Sequence, residues 1–332
     1  MTDLLGGKGA NLAEMSLLGI NVPPGFTVTT EVCNYFMKHG HVPENFDEEL
    51  KQSLKNLEKT TYKIFDSDKK PLLLSVRSGG KISMPGMMDS ILNIGINDKN
   101  LESLASDFKD ERFALDSYRR LVQMYGNVVL NIEMDRFEAI LDNKKRIDGV
   151  EKDNEFNPDQ LRWIIDAFKT TVERFSKKSF PQDPNIQLNG AIEAVFKSWS
   201  NKRAITYRKI NNIPDEWGTA ANIQSMVFGN LNDKSGTGVA FTRFPSTGKN
   251  KLYGEYLMNA QGEDVVAGIR TPFPIGKHEK NTQPSLEEEN PAMYKEIKDI
   301  ADKLEMHYKD VQDIEFTIED DIVYILQTRS AK

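Results

Sequence analysis

The sequence predicts a mixed α+β protein in which strand-bearing segments flank a helical block. Two observations carry this. Between about Asn100 and Trp199, apolar residues recur at i, i+3, i+4 and i+7. Tyr118, Leu121, Val122 and Tyr125 form one such stripe, Leu161, Ile164, Ile165 and Phe168 a second, and Ile192, Val195, Phe196 and Trp199 a third. Outside that block the period changes to short β-branched or alternating runs, at Leu72–Arg77, Ala221–Phe228, Val239–Thr242 and Asp313–Arg329.

In chain order, Gly6-Gly7-Lys8-Gly9 leads into a helix over Ala10–Met15, with Gly19 near its end and a turn at Pro23-Pro24-Gly25. Leu72–Arg77 reads as a strand that runs into the glycine-rich loop Ser78–Asp89. The three helical stripes are core faces, and Asn157-Pro158 supplies an N-cap with proline at the first helical position. Strands return at Ala221–Phe228 and Val239–Thr242 across the turn-rich Gly229–Gly238. Gly276–Glu289, rich in lysine and glutamate, reads as a mobile surface loop. Asn290-Pro291 then opens a helix that turns Ile297, Ile300, Ala301 and Leu304 inward.

Composition narrows the chemistry. The 332 residues amount to roughly two domains of material, and 39% hydrophobic with 28% charged residues is globular composition. A net charge of −7 disfavours non-specific nucleic-acid binding, so a phosphate ligand needs a local basic cluster. The single cysteine, Cys33, excludes internal disulfides and cysteine-based zinc sites and suits a reducing, cytoplasmic setting. The apolar runs Leu72–Leu74 and Val128–Leu130 are too short to span a bilayer, and the N-terminus lacks a signal core. Gly7-Lys8, Gly248-Lys249 and Gly276-Lys277 all lack the serine or threonine of a P-loop, and no dinucleotide fingerprint follows a strand. The four histidines, His39, His41, His278 and His307, form no metal motif, and His39 and His41 read as solvated loop residues.

The closing hairpin is the sharpest spacing signal. Ile314, Phe316 and Ile318 alternate with Asp313, Glu315 and Thr317. A three-residue loop of Glu319, Asp320 and Asp321 pairs Ile318 with Ile322, Phe316 with Tyr324 and Ile314 with Leu326. That register sets Asp313 opposite Gln327, with Glu315 and Arg329 on the same face. On spacing alone, the simpler reading is a polar face meeting water. The other is a set of hard oxygen ligands beside a guanidinium, suited to a magnesium ion that bridges phosphates.

Several segments resemble the nucleotide-binding portion of the pyruvate, phosphate dikinase family. They are Leu4–Met15, Ser75–Gly79 with Ser83-Met84-Pro85-Gly86-Met87-Met88-Asp89, Gln261–Pro272, Gln312–Phe316 and Leu326–Arg329. The Met-Pro-Gly-Met-Met-Asp loop is specific, since related water dikinases differ there. The resemblance covers essentially the whole chain. It implies an ATP-grasp fold: a first lobe from 1–97 plus 190–231, a helical insert over 98–189 and a second lobe over 232–332, with ATP sandwiched by the lobes.

The resemblance also implies roles. Lys8, Arg77 and Arg329 look like catalytic cations on the ATP phosphates, with Lys81 keeping a family charge where arginine is usual. Taken singly, Lys8 is a surface lysine in a glycine turn and Arg77 a strand-end ion-pair partner. Gly86, Met87 and Met88 look like a loop over the terminal phosphates, although a methionine run alone reads as core packing. Gln224, Met226 and Val227 resemble a strand that holds adenine through backbone groups, and Glu263 and Arg270 resemble ribose or phosphate contacts. Asp313, Glu315 and Gln327 look like ligands of the cofactor magnesium ion. Phe244 stands where the family has asparagine or aspartate, Gly80 where it has alanine, and the family's opening strand has no counterpart. The chain therefore reads as the nucleotide-binding third of such an enzyme, either excised or a truncated gene product. It is expected to bind MgATP and phosphate and to phosphorylate a histidine on a central domain outside this chain, releasing AMP and diphosphate. Pyruvate engages a further domain, also outside this chain, and neither nucleic acid nor membrane is a partner. The alternative is a catalytically silent ATP-binding module.

Overall fold

The computed structural model describes residues 1–266, 270–277 and 283–331, and only the backbone of Glu263 and Val266. Two compact units emerge, Met1–Gly7 with Pro24–Met226, and Lys8–Pro23 with Val227–Lys332. The helical segment 98–189 falls in unit 1, and residues 8–23 and 227–231, expected in the first lobe, belong to unit 2. Helix α1 (Thr2–Leu17) spans that division, and Gly6 breaks its helical path with φ +67°.

Unit 1 is built on an antiparallel sheet of four strands, β1 (Gly25–Val28), β2 (Leu74–Gly80), β3 (Ser90–Ile94) and β4 (Thr219–Ser225), in the order β1-β4-β2-β3. β4 ends at Ser225, three residues short of the expected Phe228; the last bonds at this end run from Ser225 N–H to Pro24 and from Met226 N–H to Leu73. Helices α2 (Thr30–His39) and α3 (Phe46–Thr61) follow β1, and buried Cys33 lies in α2. The helical block comprises α4 (Leu101–Phe108), α5 (Glu111–Val128), α6 (Met134–Asp148), α7 (Pro158–Ser176), α8 (Pro184–Ser198) and α9 (Lys202–Ile210).

All three stripes read from the sequence are buried, from Tyr118 on α5 to Trp199 just past α8. Four of these helices start on side chains that take an orphan N–H: Asp110, Asn157, Asp183 and Asn201 each accept from a first-turn amide, as Asn290 does for a helix of unit 2. Asn157 adds the reciprocal bond from Gln160, completing a capping box. His39 sits in the last turn of α2, not a loop, and stacks on Tyr35 with His41 nearby. His278 lies outside the described residues.

Unit 2 carries a second antiparallel sheet. Its strands are β5 (Gly236–Phe241), β6 (Tyr253–Met258), β7 (Phe273–Pro274), β8 (Gln312–Glu319) and β9 (Ile322–Ser330), ordered β7-β6-β5-β8-β9. The short helices α10 (Gly262–Val266) and α11 (Leu286–Glu289) precede the long α12 (Pro291–Tyr308). One face of the sheet is apolar: Ile314, Phe316, Ile318, Val323 and Ile325 pack with Met293, Ile297, Ala301 and Leu304 of α12 and with Leu12, Met15 and Ile20. Each such aliphatic side chain contributes ~1.5–3 kcal/mol on burial. The 8–23 segment is tied in by polar bonds as well, from Asn11 to the Thr328 carbonyl (2.8 Å) and from Asn21 to the Val323 carbonyl (3.0 Å).

The Gly276–Glu289 stretch is not simply a surface loop. Leu286–Glu289 forms α11 under a capping box from Ser285 and Glu288, and Leu286 is buried in the unit 2 core. Residues 278–282 lie outside the described set.

The hairpin differs from the expected register. Its loop has two residues, Asp320 and Asp321, both at positive φ (50° and 66°), as a type I′ turn requires. Ile318 therefore pairs with Val323 and Phe316 with Ile325, so Val323 and Ile325 enter the core and Ile322 is exposed. A bulge beside Glu315/Phe316, with Leu326 as the extra residue, then shifts the phase of β9 by one. Past it, Glu315 pairs with Gln327 and Asp313 with Arg329. The four polar residues share a face, as expected, but through a different loop and a bulge. Among the described residues no helix is long and apolar enough to cross a membrane.

Candidate functional site

In unit 2 the site is the polar face of β8 and β9. Arg329 Nε donates to Asp313 Oδ2 at 2.7 Å, and Gln327 Nε2 donates to Glu315 Oε1 at 3.2 Å. The Asp313 side chain is 14% exposed and that of Arg329 33%, so the ion pair is partly desolvated and stronger than a fully surface pair. The strand ladders extend the face across the sheet: Val239 faces Glu315 on one side and Glu255 on the other. Glu255 is exposed and was missed in the sequence, where Tyr253–Met258 gave no strand signal. Its only trace there is the alternation of Tyr253, Glu255 and Leu257 with Gly254 and Tyr256.

Two carboxylates and an amide are hard donors of the kind magnesium takes, and the guanidinium beside them suits a phosphate. This donor set fits the cation, although among the described residues no group of three His, Cys, Asp or Glu side chains could by itself hold one. Glu319 Oε2 accepts the Phe228 N–H at 2.6 Å and fixes the start of the second stretch of unit 2. Lys8 sits in α1 just after the Gly6 kink, half-buried, and Val227 begins that second stretch. Arg270 donates to the carbonyls of Asn259 (2.8 Å) and Met258 (3.0 Å), so its guanidinium secures the end of β6. The Glu263 side chain lies outside the described residues. Phe244 closes the turn through Gly248 and packs edge-on against Tyr253, with ring centroids 5.2 Å apart.

In unit 1, β2 carries Arg77 between Ser90 of β3 and Asn222 of β4. Gly6 crosses the end of this strand so closely that a Cβ would stand 1.8 Å from the Gly79 carbonyl oxygen. Lys81 ion-pairs with Asp3, which holds the Asp3 carboxyl below its ordinary range, and its ammonium lies 4.5 Å from the Trp217 ring centre. Gln224 is buried in β4. The Met226 N–H already serves Leu73, so of its backbone groups the carbonyl is the one that remains for a ligand.

The methionine loop has a defined shape. Met87 N–H donates to the Met84 carbonyl at 3.1 Å, with Pro85 and Gly86 between them and Gly86 at φ +69°. Proline second and glycine third make a type II turn. Met84 is buried with Trp199, Ala204 and Ile213, and Met87 and Met88 pack against the same cluster. The methionine side chains thus pack on this cluster, Met84 buried and Met87 and Met88 partly so, while Gly86 is exposed.

Comparison with known proteins gives the family. The family described as "Pyruvate phosphate dikinase, AMP/ATP-binding domain" matches residues 2–67, 44–289 and 274–332. A pyruvate, phosphate dikinase of Rickettsia conorii is 54% identical over 100% of this chain and 38% of its own length. That of Clostridium symbiosum is 51% identical over 100% of this chain and 37% of its own. A chloroplastic one of Mesembryanthemum crystallinum is 50% identical over 100% and 34%. The chain thus spans little more than a third of the length of these relatives. With an α+β architecture, an acid–amide–arginine face on β8 and β9 and a whole-length match, the chain belongs to the pyruvate phosphate dikinase AMP/ATP-binding domain family.

Proposed function

We propose that this chain binds MgATP and inorganic phosphate and phosphorylates a histidine on a separate domain, as the nucleotide-binding part of a pyruvate, phosphate dikinase of ATP-grasp type. The observation that carries the reading is the shared face of Asp313, Glu315, Gln327 and Arg329 in a member of this family. Magnesium, when bound, neutralises phosphate charge and orients the transferring group. The chain's own residues do the rest. Asp313, Glu315 and Gln327 hold the cation, and Arg329, kept in place by Asp313, clamps a phosphate. Lys8, Arg77 and Lys81 add positive charge, Gly86–Met88 offer backbone donors, and Gln224, Met226 and Val227 take the adenine, with Glu263 and Arg270 near the ribose and phosphates.

In the reaction the β-phosphoryl group ends on the acceptor histidine, the γ-phosphoryl joins phosphate as diphosphate, and AMP leaves. Catalysis is positioning and charge neutralisation, with no covalent group supplied by this chain. The acceptor histidine and the pyruvate site belong to domains beyond these residues.

The test mixes this chain with a separately produced histidine domain, phosphate and ATP labelled at the β-phosphorus. Label on histidine, lost when Arg329 is replaced by methionine, supports the reading. ATP binding without label transfer supports the silent binding module instead.

A further inference from the structure

Asn201 stands where the methionine loop meets α9, and both ends of its amide are used. Oδ1 accepts the Ala204 N–H at 2.7 Å and caps α9. Nδ2 donates to the Met87 carbonyl at 3.0 Å. Among the described residues no peptide bond is cis, so the Met87 carbonyl and the Met88 N–H point in opposite directions across one planar unit. Holding the carbonyl therefore aims the Met88 N–H away from Asn201. Among the described residues that N–H meets no acceptor. The Met87 N–H, by contrast, is spent on the turn.

The residues around Asn201 are bonded to one another. Trp199 Nε1 donates to the Asp215 carbonyl at 2.8 Å, and the buried Arg208 guanidinium lies 4.2 Å from the Trp199 ring centre with its Nε on Asp215 Oδ1 at 2.7 Å. Arg203, two residues further on, pairs with Asp89 at 3.4 Å and ties down the far end of the loop.

We infer that Asn201 is a positioning residue that presets the Met88 N–H as a donor for the terminal phosphates of the nucleotide. This rests on the proposed MgATP reading. The arrangement separates capping from positioning, because the two tasks use different atoms of one side chain. Asn201→Asp keeps the capping oxygen and replaces the donor with a second acceptor facing the Met87 carbonyl. Asn201→Ser keeps a capping hydroxyl but is too short for Met87.

The experiment is isothermal titration of the full chain and both variants with MgATP and with AMP, alongside thermal melting. Both variants are expected to melt within a few degrees of wild type. They should bind MgATP roughly tenfold more weakly, the loss of one oriented hydrogen bond to a charged group, and bind AMP as the wild type does. An equal loss for MgATP and AMP, or no loss for MgATP in variants that fold, overturns the positioning role while leaving ATP binding intact. Wild type that binds no MgATP overturns the functional reading and this inference with it. If the aspartate variant does not fold, the serine variant decides by the same comparison.

Discussion

Replacing Asp116 by asparagine removes the anion from a buried network at the centre of the helical block. Asp116 is 3% exposed and Arg119 2%. Asp116 Oδ1 accepts from Arg119 Nε at 2.8 Å, and Oδ2 from Arg120 Nε at 3.0 Å. Burial alone would raise this carboxyl, but Arg119, Arg120 and Arg112 outweigh it and hold the group well below the ordinary carboxylate range. The amide preserves shape yet removes the buried counter-charge of Arg119 and leaves it with the partly exposed Asp153 at 3.9 Å, which costs about 3–5 kcal/mol. Urea unfolding at pH 7, followed by far-ultraviolet circular dichroism, should show the midpoint fall at unchanged slope.

The same network fixes the sign of the pH dependence. The folded group titrates below its ordinary 3.8, so its contribution is complete above that value and fades as pH falls through it toward the folded pKa. The variant has no such group. The gap between the two proteins should therefore be flat near neutrality and narrow in acid. A loss under about 1 kcal/mol at pH 7, the worth of a surface pair, refutes the reasoning, as does a gap that ignores acidification.

Other consequences are as direct. Gly6→Ala places a Cβ on the Gly79 carbonyl at a left-handed φ, so the Gly6–Gly79 crossing must open at a cost of about 2–4 kcal/mol, read as a lowered melting temperature. A variant that melts like wild type would show that the two glycines do not touch in solution. Replacing Asp320-Asp321 by Asn-Gly suits a turn with two positive φ angles and should raise stability by about 0.5–1 kcal/mol. Inserting one glycine between Asp320 and Asp321 instead should destabilise unit 2, because it replaces the tight two-residue turn that sets the pairing of Val323 and Ile325.

The long helices were legible because their stripes and caps are local: Tyr118 to Tyr125 and Asn157-Pro158 need no partner to be recognised. The hairpin was legible only in part. Alternation placed Asp313 and Glu315 with Gln327 and Arg329, but loop length and bulge are settled by pairing, and here the bulge at Leu326 offsets the shorter loop. Strands β1, β3, β6 and β7 escaped notice because they are short, and Gly254 in β6 lies where the Val239 carbonyl leaves no room for a Cβ. Asn201 escaped for a related reason. Its capping role is visible in sequence, whereas its bond to Met87 joins residues 114 apart.

Calorimetric titration of the full chain with ATP tests most directly the proposal that Asp313, Glu315 and Gln327 on β8 and β9 hold magnesium for the nucleotide. Saturable binding that strengthens with magnesium, and that weakens about tenfold or more in Asp313→Asn while the fold is retained, is the expected result. Folded protein that binds no ATP, or binds it with the same affinity whether magnesium and the Asp313 carboxylate are present or not, would contradict it.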